Sequence, residues 1–569
     1  MKSLLFSFLF TLPFFSNAQY DWDSNETPTY AELIDILRII ADSSDAIQLY
    51  SMGPSDYGLP IYLCLVNAGE DSLTAFRRAR EETTILFNNA IHPGEPDGIN
   101  AMIIWLQGVS KNPKLLKDMP IIAFIPAYNV GGMMNRSSFS RANQNGPIEY
   151  GFRGNAKNLD LNRDFIKMDS ENAFTFTKIF HALDPDVFVD NHVSNGADYQ
   201  YTLTYISGLR DRMAPSMEKI TQESALPILE KAIQERYDLD LFPYVDLVGK
   251  TPDQGIASFN DLPRYSMGYT GLFQCLSFTV ETHMLKPFPE RVRATYEFMD
   301  EIIAWTGSHK DEIEQARRDA KEHVNANPYL NINFTRKEST NDSILFKGYA
   351  HSFPKHPTTG LKRLKYDVTS PYEKRIPHFQ KFAAKDSIQL PSFYYVAGQE
   401  KEVIKRLKAN QIDIEEIKMD TILDLGIFRV MDYKTPDKPY EGHFFLSNPK
   451  IEREIQPIRL KCGDWKINCN QENALFLHSV MQPEAEDSYF RWNFFDSYLQ
   501  QKEYFSSYVF VDKIDEILKD NPDLKKQYKA KLKEDAPFRE SEWEQLYFIY
   551  KNSKYFEKTV NVLPIYYQE

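Results

Sequence analysis

Thr83-Thr84-Ile85-Leu86-Phe87-Asn88-Asn89-Ala90-Ile91-His92-Pro93-Gly94-Glu95 is an apolar run that stops at a histidine and a carboxylate three positions apart. A short continuous apolar run bounded by polar and turn residues suits a buried strand. An imidazole and a carboxylate at this spacing can close on one metal ion. Zinc accepts both ligand types, and a catalytic zinc needs only three protein ligands, leaving one position for water. Such a pair also arises by chance in polar loops after strands. Its meaning depends on whether other strand ends supply a third ligand, a base and substrate clamps.

Outward from this stretch, the chain from Thr29 to about Thr306 alternates strands and helices. Ala31 to Ala41 reads as an amphipathic helix, and Ile61 to Val66 as a strand. Ile99 to Val109 has helical periodicity behind Asp97-Gly98, and Glu171 to Leu183 gathers its apolar residues largely on one side. Ile121 to Ile125, Val187 to Val189 and Leu276 to Val280 are further apolar strand runs. The order predicts an α/β fold with a mixed, mostly parallel central sheet and helices on both faces. The charged stretch His309 to His323 reads as the last helix of this domain or a linker helix.

Three further segments bear on the opening motif: Asp190-Asn191-His192, Phe278-Thr279-Val280-Glu281 and Asn158-Leu159-Asp160-Leu161-Asn162-Arg163-Asp164-Phe165. In the first two, a metal- or proton-competent residue ends an apolar strand, as His92 and Glu95 do. Sites in open α/β sheets form at the carboxyl ends of strands, so these residues can converge. His92, Glu95 and His192 would then hold zinc, and Glu281 would act as general base on a water molecule. Arg163 and Arg141, with the amide of Asn162, would clamp an anionic substrate group.

This ordered set resembles the zinc metallocarboxypeptidase family, of the carboxypeptidase A-like fold, over roughly residues 25–306. The resemblance implies one zinc ion per chain and hydrolysis of C-terminal peptide bonds. It implies that Asn162 and Arg163 bind the substrate's terminal carboxylate. It also implies that Asp160 orients His92 and that Arg141, in Arg141-Ala142-Asn143, polarises the scissile carbonyl, with Arg136 as the weaker candidate. The chain departs from the pattern at Asn129-Val130-Gly131-Gly132, where the family has Asn-Pro-Asp-Gly. It departs again where a substrate-capping tyrosine is expected. Phe259 lies near that spacing, and Tyr265 and Tyr269 follow as candidate substrate contacts. Arg264 beside them is a further possible contact. His283, two past Glu281, reads as a residue that supports the site or is structural, and not as a ligand; His351 and His356 read as structural.

Two alternatives stay open. One is the same machinery acting on cell-wall stem peptides or amino-acid conjugates. The other is a catalytically degenerate binding protein.

Composition sets the frame. The 569 residues exceed one ordinary domain, and 42% hydrophobic with 26% charged content is that of a soluble globular chain. A net charge of −14 argues against nucleic-acid or anionic-membrane partners. Lys2, the apolar run Leu4 to Phe15 and Ser16-Asn17-Ala18 read as a cleavable export signal. They predict a periplasmic or extracellular mature chain starting near Gln19, with no membrane span. Its partner would be a peptide with a free C-terminal carboxylate, and the oligomeric state is open.

The expected division is signal 1–18, catalytic domain 19–310 and a mixed α/β accessory region 325–569. In the last, Phe393 to Val396, Glu400 to Ala409 and Ile412 to Ile417 read as a β-α-β unit. Trp465, Trp492 and Trp543 read as packing residues. Of four cysteines, Cys64 and Cys275 read as buried thiols, while Cys462 and Cys469 flank a segment they could staple.

Overall fold

The computed structural model describes residues 22–569 except 70, 340 and 341. The expected export signal lies outside the described residues. The chain divides into two compact units. One runs up to residue 326 and includes 334–385; the other comprises 327–333 and 386–569. The 334–385 segment thus groups with the first unit, although its composition reads as part of the C-terminal region.

The first unit contains β1 (Ile47–Pro54), β2 (Pro60–Val66), β3 (Thr84–Asn88), β4 (Ile121–Ile125), β5 (Val187–Ser194), β6 (Leu203–Ser207), β7 (Leu241–Pro243), β8 (Asp246–Leu247), β9 (Ile256–Ala257) and β10 (Leu276–His283). Eight of them form one sheet in the order β1-β2-β4-β3-β5-β10-β6-β7. The central strands β4, β3, β5 and β10 are parallel, whereas β1, β2 and β6 join antiparallel. The mixed α/β sheet expected from the sequence is therefore present. Every residue of β3, β4 and β5 is buried, which is why these runs carry no polar alternation.

Helices cover the sheet in packed groups. Asp97–Lys111 packs with Phe288–Ser308, and Ser72–Glu81 packs with Glu171–Leu183. Their ends are set locally. Thr29 and Glu32 form a reciprocal capping box on Tyr30–Asp42. Ser170 caps Glu171–Leu183, which stops at Asp184 in the left-handed region. The charged stretch becomes the helix Lys310–Ala326.

Beyond it lie β11 (Tyr329–Arg336), β12 (Ser343–Ser352), β13 (Lys365–Phe379) and β14 (Phe382–Gln389). The long antiparallel hairpin β12–β13 continues into β9 and β8. Its Phe346 and Ile376 are fully buried against Tyr199, Tyr201, Phe242 and Ile256 of the first unit.

The second unit holds β15 (Phe393–Val396), β16 (Glu415–Glu416), β17 (Thr421–Lys434), β18 (Ser447–Leu460), β19 (Trp465–Asn468) and β20 (Val562–Gln568). They form a sheet in the order β16-β19-β15-β20-β17-β18. The β-α-β unit read from the sequence is present, with β19 inserted between its two strands. Trp492 is fully buried, while Trp543 is partly exposed and stacks on Phe505 at 4.9 Å between ring centroids. The cysteines are free thiols: Cys64 and Cys275 are buried as expected, but Cys462 and Cys469 form no staple. Cys469 is buried beyond the end of β19, whereas Cys462 sits exposed before it.

Candidate active site

The parallel strands β3, β5 and β10 deliver their carboxyl ends side by side. Across β5 and β10, His192 is the register partner of Glu281 and Asp190 that of Thr279. Asn88 at the end of β3 is the partner of Asp190. Just past β3, Ala90 takes a φ of 55°, a rare left-handed conformation for a residue with a Cβ. Two residues on comes His92.

His92, Glu95 and His192 offer one ligand atom each within 4.8 Å of one another, and all three are buried. The two imidazoles converge on one carboxylate. His92 Nδ1 lies 3.3 Å from Glu95 Oε1, and His192 Nδ1 lies 3.0 Å from Glu95 Oε2. Each ring has an acid at its other nitrogen. His92 Nε2 is 3.0 Å from Asp160 Oδ1, as expected, and His192 Nε2 is 3.0 Å from Asp190 Oδ2. An acid behind a ligating imidazole fixes its tautomer and raises its basicity.

The local field favours positive charge. Burial alone would lower the His192 imidazole, but Asp190 and Glu95 outweigh it and hold it well above its usual value. Burial alone would raise the Glu95 carboxyl, yet Arg141, His92 and His192 keep it well below the ordinary range. Asp160, likewise buried, is held well below its usual value by His92, Arg153 and Arg163. Two imidazoles and a carboxylate in a site that stabilises positive charge are donors of the kind zinc takes. The donor set therefore fits zinc.

Glu281 faces the same space. Burial pushes its carboxyl up to about 8; the Glu95 carboxylate adds to this, while His192, Arg141 and Arg153 oppose it. Four buried polar atoms here make no well-directed hydrogen bond among the described residues: Arg141 Nε and Glu281 Oε2, and the imidazole nitrogens His92 Nδ1 and His192 Nε2, which only lie near Glu95 and Asp190. Buried polar groups are almost always paired, so such a cluster marks a place built for something else to bind.

The cavity measures about 410 Å³, within the ~300–1,000 Å³ common for small-ligand sites. Besides His92, Glu95, His192 and Glu281, it is lined by Arg141, Arg153, Asn162, Arg163 and Tyr265, among others. Arg141 donates to Glu95 Oε1 at 2.6 Å and to the Val193 carbonyl at 3.2 Å. Arg163 lies 4.5 Å over the Tyr265 ring and donates Nη1 to the Asn162 carbonyl at 2.8 Å. The Asn162 side chain accepts from the Ser266 amide at 2.9 Å, tying the clamp to the Tyr265 segment.

Some expectations need correction. Tyr269 is fully buried among Phe165, Phe176, Phe180 and Phe273 and does not line the cavity. It follows Ser266 and Met267 on the helix Ser266–Gly271, which turns it towards the core. Arg136 donates to the backbone carbonyls of Thr27, Pro28 and Glu149 and lines no part of the cavity. His283 bonds the Ala197 carbonyl at 2.8 Å, consistent with a structural role.

Among the residues that the sequence reading does not single out are Arg153 and Tyr244, which line the cavity, and Asp190, which faces His192. Arg153 donates to Asp160 Oδ2 at 2.8 Å and sits 3.6 Å from Glu95. Its signal was available, because Arg153-Gly154-Asn155 repeats the Arg-x-Asn pattern of Arg141. Asp190 also had a signal, since it stands two before His192 and shares its strand face. Tyr244 had none.

No family model matches the chain. In sequence it is 20% identical over 497 residues to carboxypeptidase 2 of Trichophyton rubrum, covering 82% of this chain and 84% of that protein. Carboxypeptidase 2 of Trichophyton equinum is likewise 20% identical over 505 residues, with the same shares. Among solved structures, a metallo-carboxypeptidase from Burkholderia cenocepacia is 16% identical with a TM-score of 0.37, covering 49% of this chain and 69% of its own. A metallo-carboxypeptidase from Pseudomonas aeruginosa, in complex with (2-guanidinoethylmercapto)succinic acid, is 16% identical with a TM-score of 0.36, covering 50% and 68%. The similarity to the Trichophyton proteins and the residues gathered in the cavity point the same way: this chain is similar to the metallo-carboxypeptidases.

Proposed function

We propose that the protein is a zinc-dependent carboxypeptidase that removes the C-terminal residue of a peptide. The observation that carries this reading is the convergence of His92, Glu95 and His192 in one cavity with the unpaired buried atoms Arg141 Nε and Glu281 Oε2. Zinc held by His92, Glu95 and His192 would supply Lewis acidity and a water of near-neutral pKa. Asp160 and Asp190 hold the two imidazoles in place. Glu281 Oε2 takes the proton from the attacking water and returns it to the leaving amine. Arg141 Nε offers a donor to the carbonyl oxygen as charge builds there. Arg163, anchored by Asn162 and stacked on Tyr265, binds the terminal carboxylate, which is why an exopeptidase is favoured over an endopeptidase. Catalysis on this reading belongs to the first unit. Export through the N-terminal segment is part of the same proposal; among the described residues, no helix is long and apolar enough to cross a membrane.

The test is turnover of N-blocked dipeptides by wild type and Glu281→Gln, with zinc content measured on both. The variant is expected to keep its zinc and lose about 10²–10⁴-fold in kcat. Full activity in Glu281→Gln would remove the glutamate from its role.

A further inference from the structure

The hairpin β12–β13 is set apart from the rest of the chain by its charge. Acids outnumber Lys and Arg by 80 to 66 overall, yet none stands between Asp342 and Asp367. Of the cations in that interval, Lys347 is taken by Asp240 at 2.5 Å. Lys355, Lys362, Arg363 and Lys365 lie at the turn end and are exposed. Among the described residues, Lys355, Lys362 and Arg363 make no ion pair and no side-chain hydrogen bond. The acids around the hairpin are engaged elsewhere. Asp367 accepts from Thr369 Oγ1 at 2.6 Å and Ser370 Oγ at 2.9 Å, Asp342 faces Lys381 at 3.4 Å, and Asp253 faces His351 and Lys374.

The turn end is held by its own backbone. The Arg363 N–H donates to the Pro354 carbonyl at 3.0 Å, the His356 N–H to the Leu361 carbonyl at 2.8 Å and the Gly360 N–H to the His356 carbonyl at 2.9 Å. Gly360 makes the reversal with a φ of 69°. This pairing sets Lys355 opposite Lys362. Like charges directly opposite across two strands are destabilising, and no acid in the segment offsets them. Two apolar side chains stand beside the cations: Phe353 is 44% exposed and Leu361 is 71% exposed. No residue from 353 to 364 is buried. Such an exposed end presents itself to a surface rather than enclosing a ligand.

We propose that this turn end docks on an anionic lipid bilayer. Lys355, Lys362 and Arg363 meet the phosphates, while Phe353 and Leu361 enter the boundary between headgroups and acyl chains. The net charge of −14 disfavours such a partner for the chain as a whole. A charge in ~0.1 M salt is felt over only about 10 Å, however, so the acid-free segment decides what its own end meets. A soluble polyanion would use the cations but leave Phe353 and Leu361 in water, which is why a bilayer is favoured. The proposal is independent of the peptidase reading.

The experiment is sedimentation with vesicles, using the chain from Gln19 so that the apolar run Leu4 to Phe15 takes no part. Vesicles of phosphatidylcholine alone are compared with vesicles holding about one-third phosphatidylglycerol. Binding to the anionic vesicles is expected to be at least about tenfold stronger, and to be lost between ~0.1 M and ~1 M salt. The triple variant Lys355→Gln, Lys362→Gln, Arg363→Gln should bind them at least about tenfold more weakly while melting as the wild type does. The double variant Phe353→Ser, Leu361→Ser should also bind more weakly. Equal sedimentation with both vesicles, none with either, or full binding by the triple variant overturns the proposal. Binding lost in the triple variant but untouched in the double variant overturns the bilayer as occupant, since charge alone would then suffice. If the triple variant melts early, Phe353→Trp decides. Its emission, relative to the wild type, is expected to shift to the blue on adding anionic vesicles, and an unmoved emission overturns the proposal.

Discussion

Gly94 has no room for a side chain. A Cβ there would lie 2.6 Å from Arg141 Cδ and 3.2 Å from the Gly151 carbonyl oxygen. Gly94, just before Glu95, thus makes space for the stem of the arginine that holds Glu95. Gly94→Ala is expected to cost about 1–3 kcal/mol of stability through overpacking. It should also displace Arg141 and lower kcat/KM on blocked dipeptides. A double-mutant cycle with Arg141→Ala checks the link, because residues acting through one contact lose less together than the sum. Strictly additive losses would show that Gly94 acts elsewhere. At this scale the convergence of His92, Glu95, His192 and Glu281 is legible because each stands at or just past the end of an apolar strand run. The sequence does not single out Arg153, because its Arg-x-Asn pattern is the same as that of Arg141 and chain spacing does not say which comes near Glu95. Tyr269 was misplaced for a related reason: its distance from Glu281 is a property of the chain, while its direction is set by the rotation of a six-residue helix.

Elements explain how the cavity keeps its shape. The hairpin β12–β13 holds the segment 197–201 with backbone and side-chain bonds: Gln200 N–H to the Lys347 carbonyl at 3.1 Å, and Gln200 Nε2 to the Gly348 and Tyr372 carbonyls. Tyr199 in that segment pairs its hydroxyl with Ser194, which lines the cavity. At its far end the hairpin continues through Phe379 to Ser258, next to Phe259. The strands of the central sheet could be read from their apolar runs. This hairpin could not, because β13 is mostly exposed and lacks a buried stripe.

In the second unit, the helix Ala474–Met481 buries His478 beside Tyr394. Gln482 donates to the Tyr394 hydroxyl at 2.7 Å, so that hydroxyl donates in turn to a neutral His478. Burial lowers His478 to about 4. The unfolded chain, with an ordinary histidine near 6.5, binds more protons across this range. Stability is therefore complete above about pH 6.5 and falls as pH drops towards 4, by on the order of 3 kcal/mol from this group. Urea midpoints at pH 7 and pH 4 for wild type and His478→Gln should show the smaller decline in the variant. Equal declines would contradict the assignment.

At the scale of the molecule, the two units are not equally separable from the sequence. Composition changes near residue 325, but the first unit reaches to 385. The shift in composition marks where buried parallel strands give way to exposed antiparallel ones, and that is not where the packing divides. A chain ended at Thr306 loses Phe346 and Ile376 and uncovers Tyr199, Tyr201, Phe242 and Ile256. It is expected to show no dipeptide hydrolysis and no cooperative melting. A chain ended at Lys385 keeps that cluster and should melt cooperatively. Matching behaviour of the two fragments would deny the hairpin its part. The likeness to the Trichophyton proteins spans 82% of this chain, more than the first unit holds, so it continues into the second.

The outermost strand of the second unit's sheet, β18, carries Lys450, Glu452, Arg453, Glu454 and Arg459 together with Pro449 and Pro457. Each proline lacks an N–H, and the alternating charges resist a neighbour of like pattern. The longest free edge of that sheet is thereby a poor template for recruiting another strand, a property that bears on colloidal behaviour at high concentration.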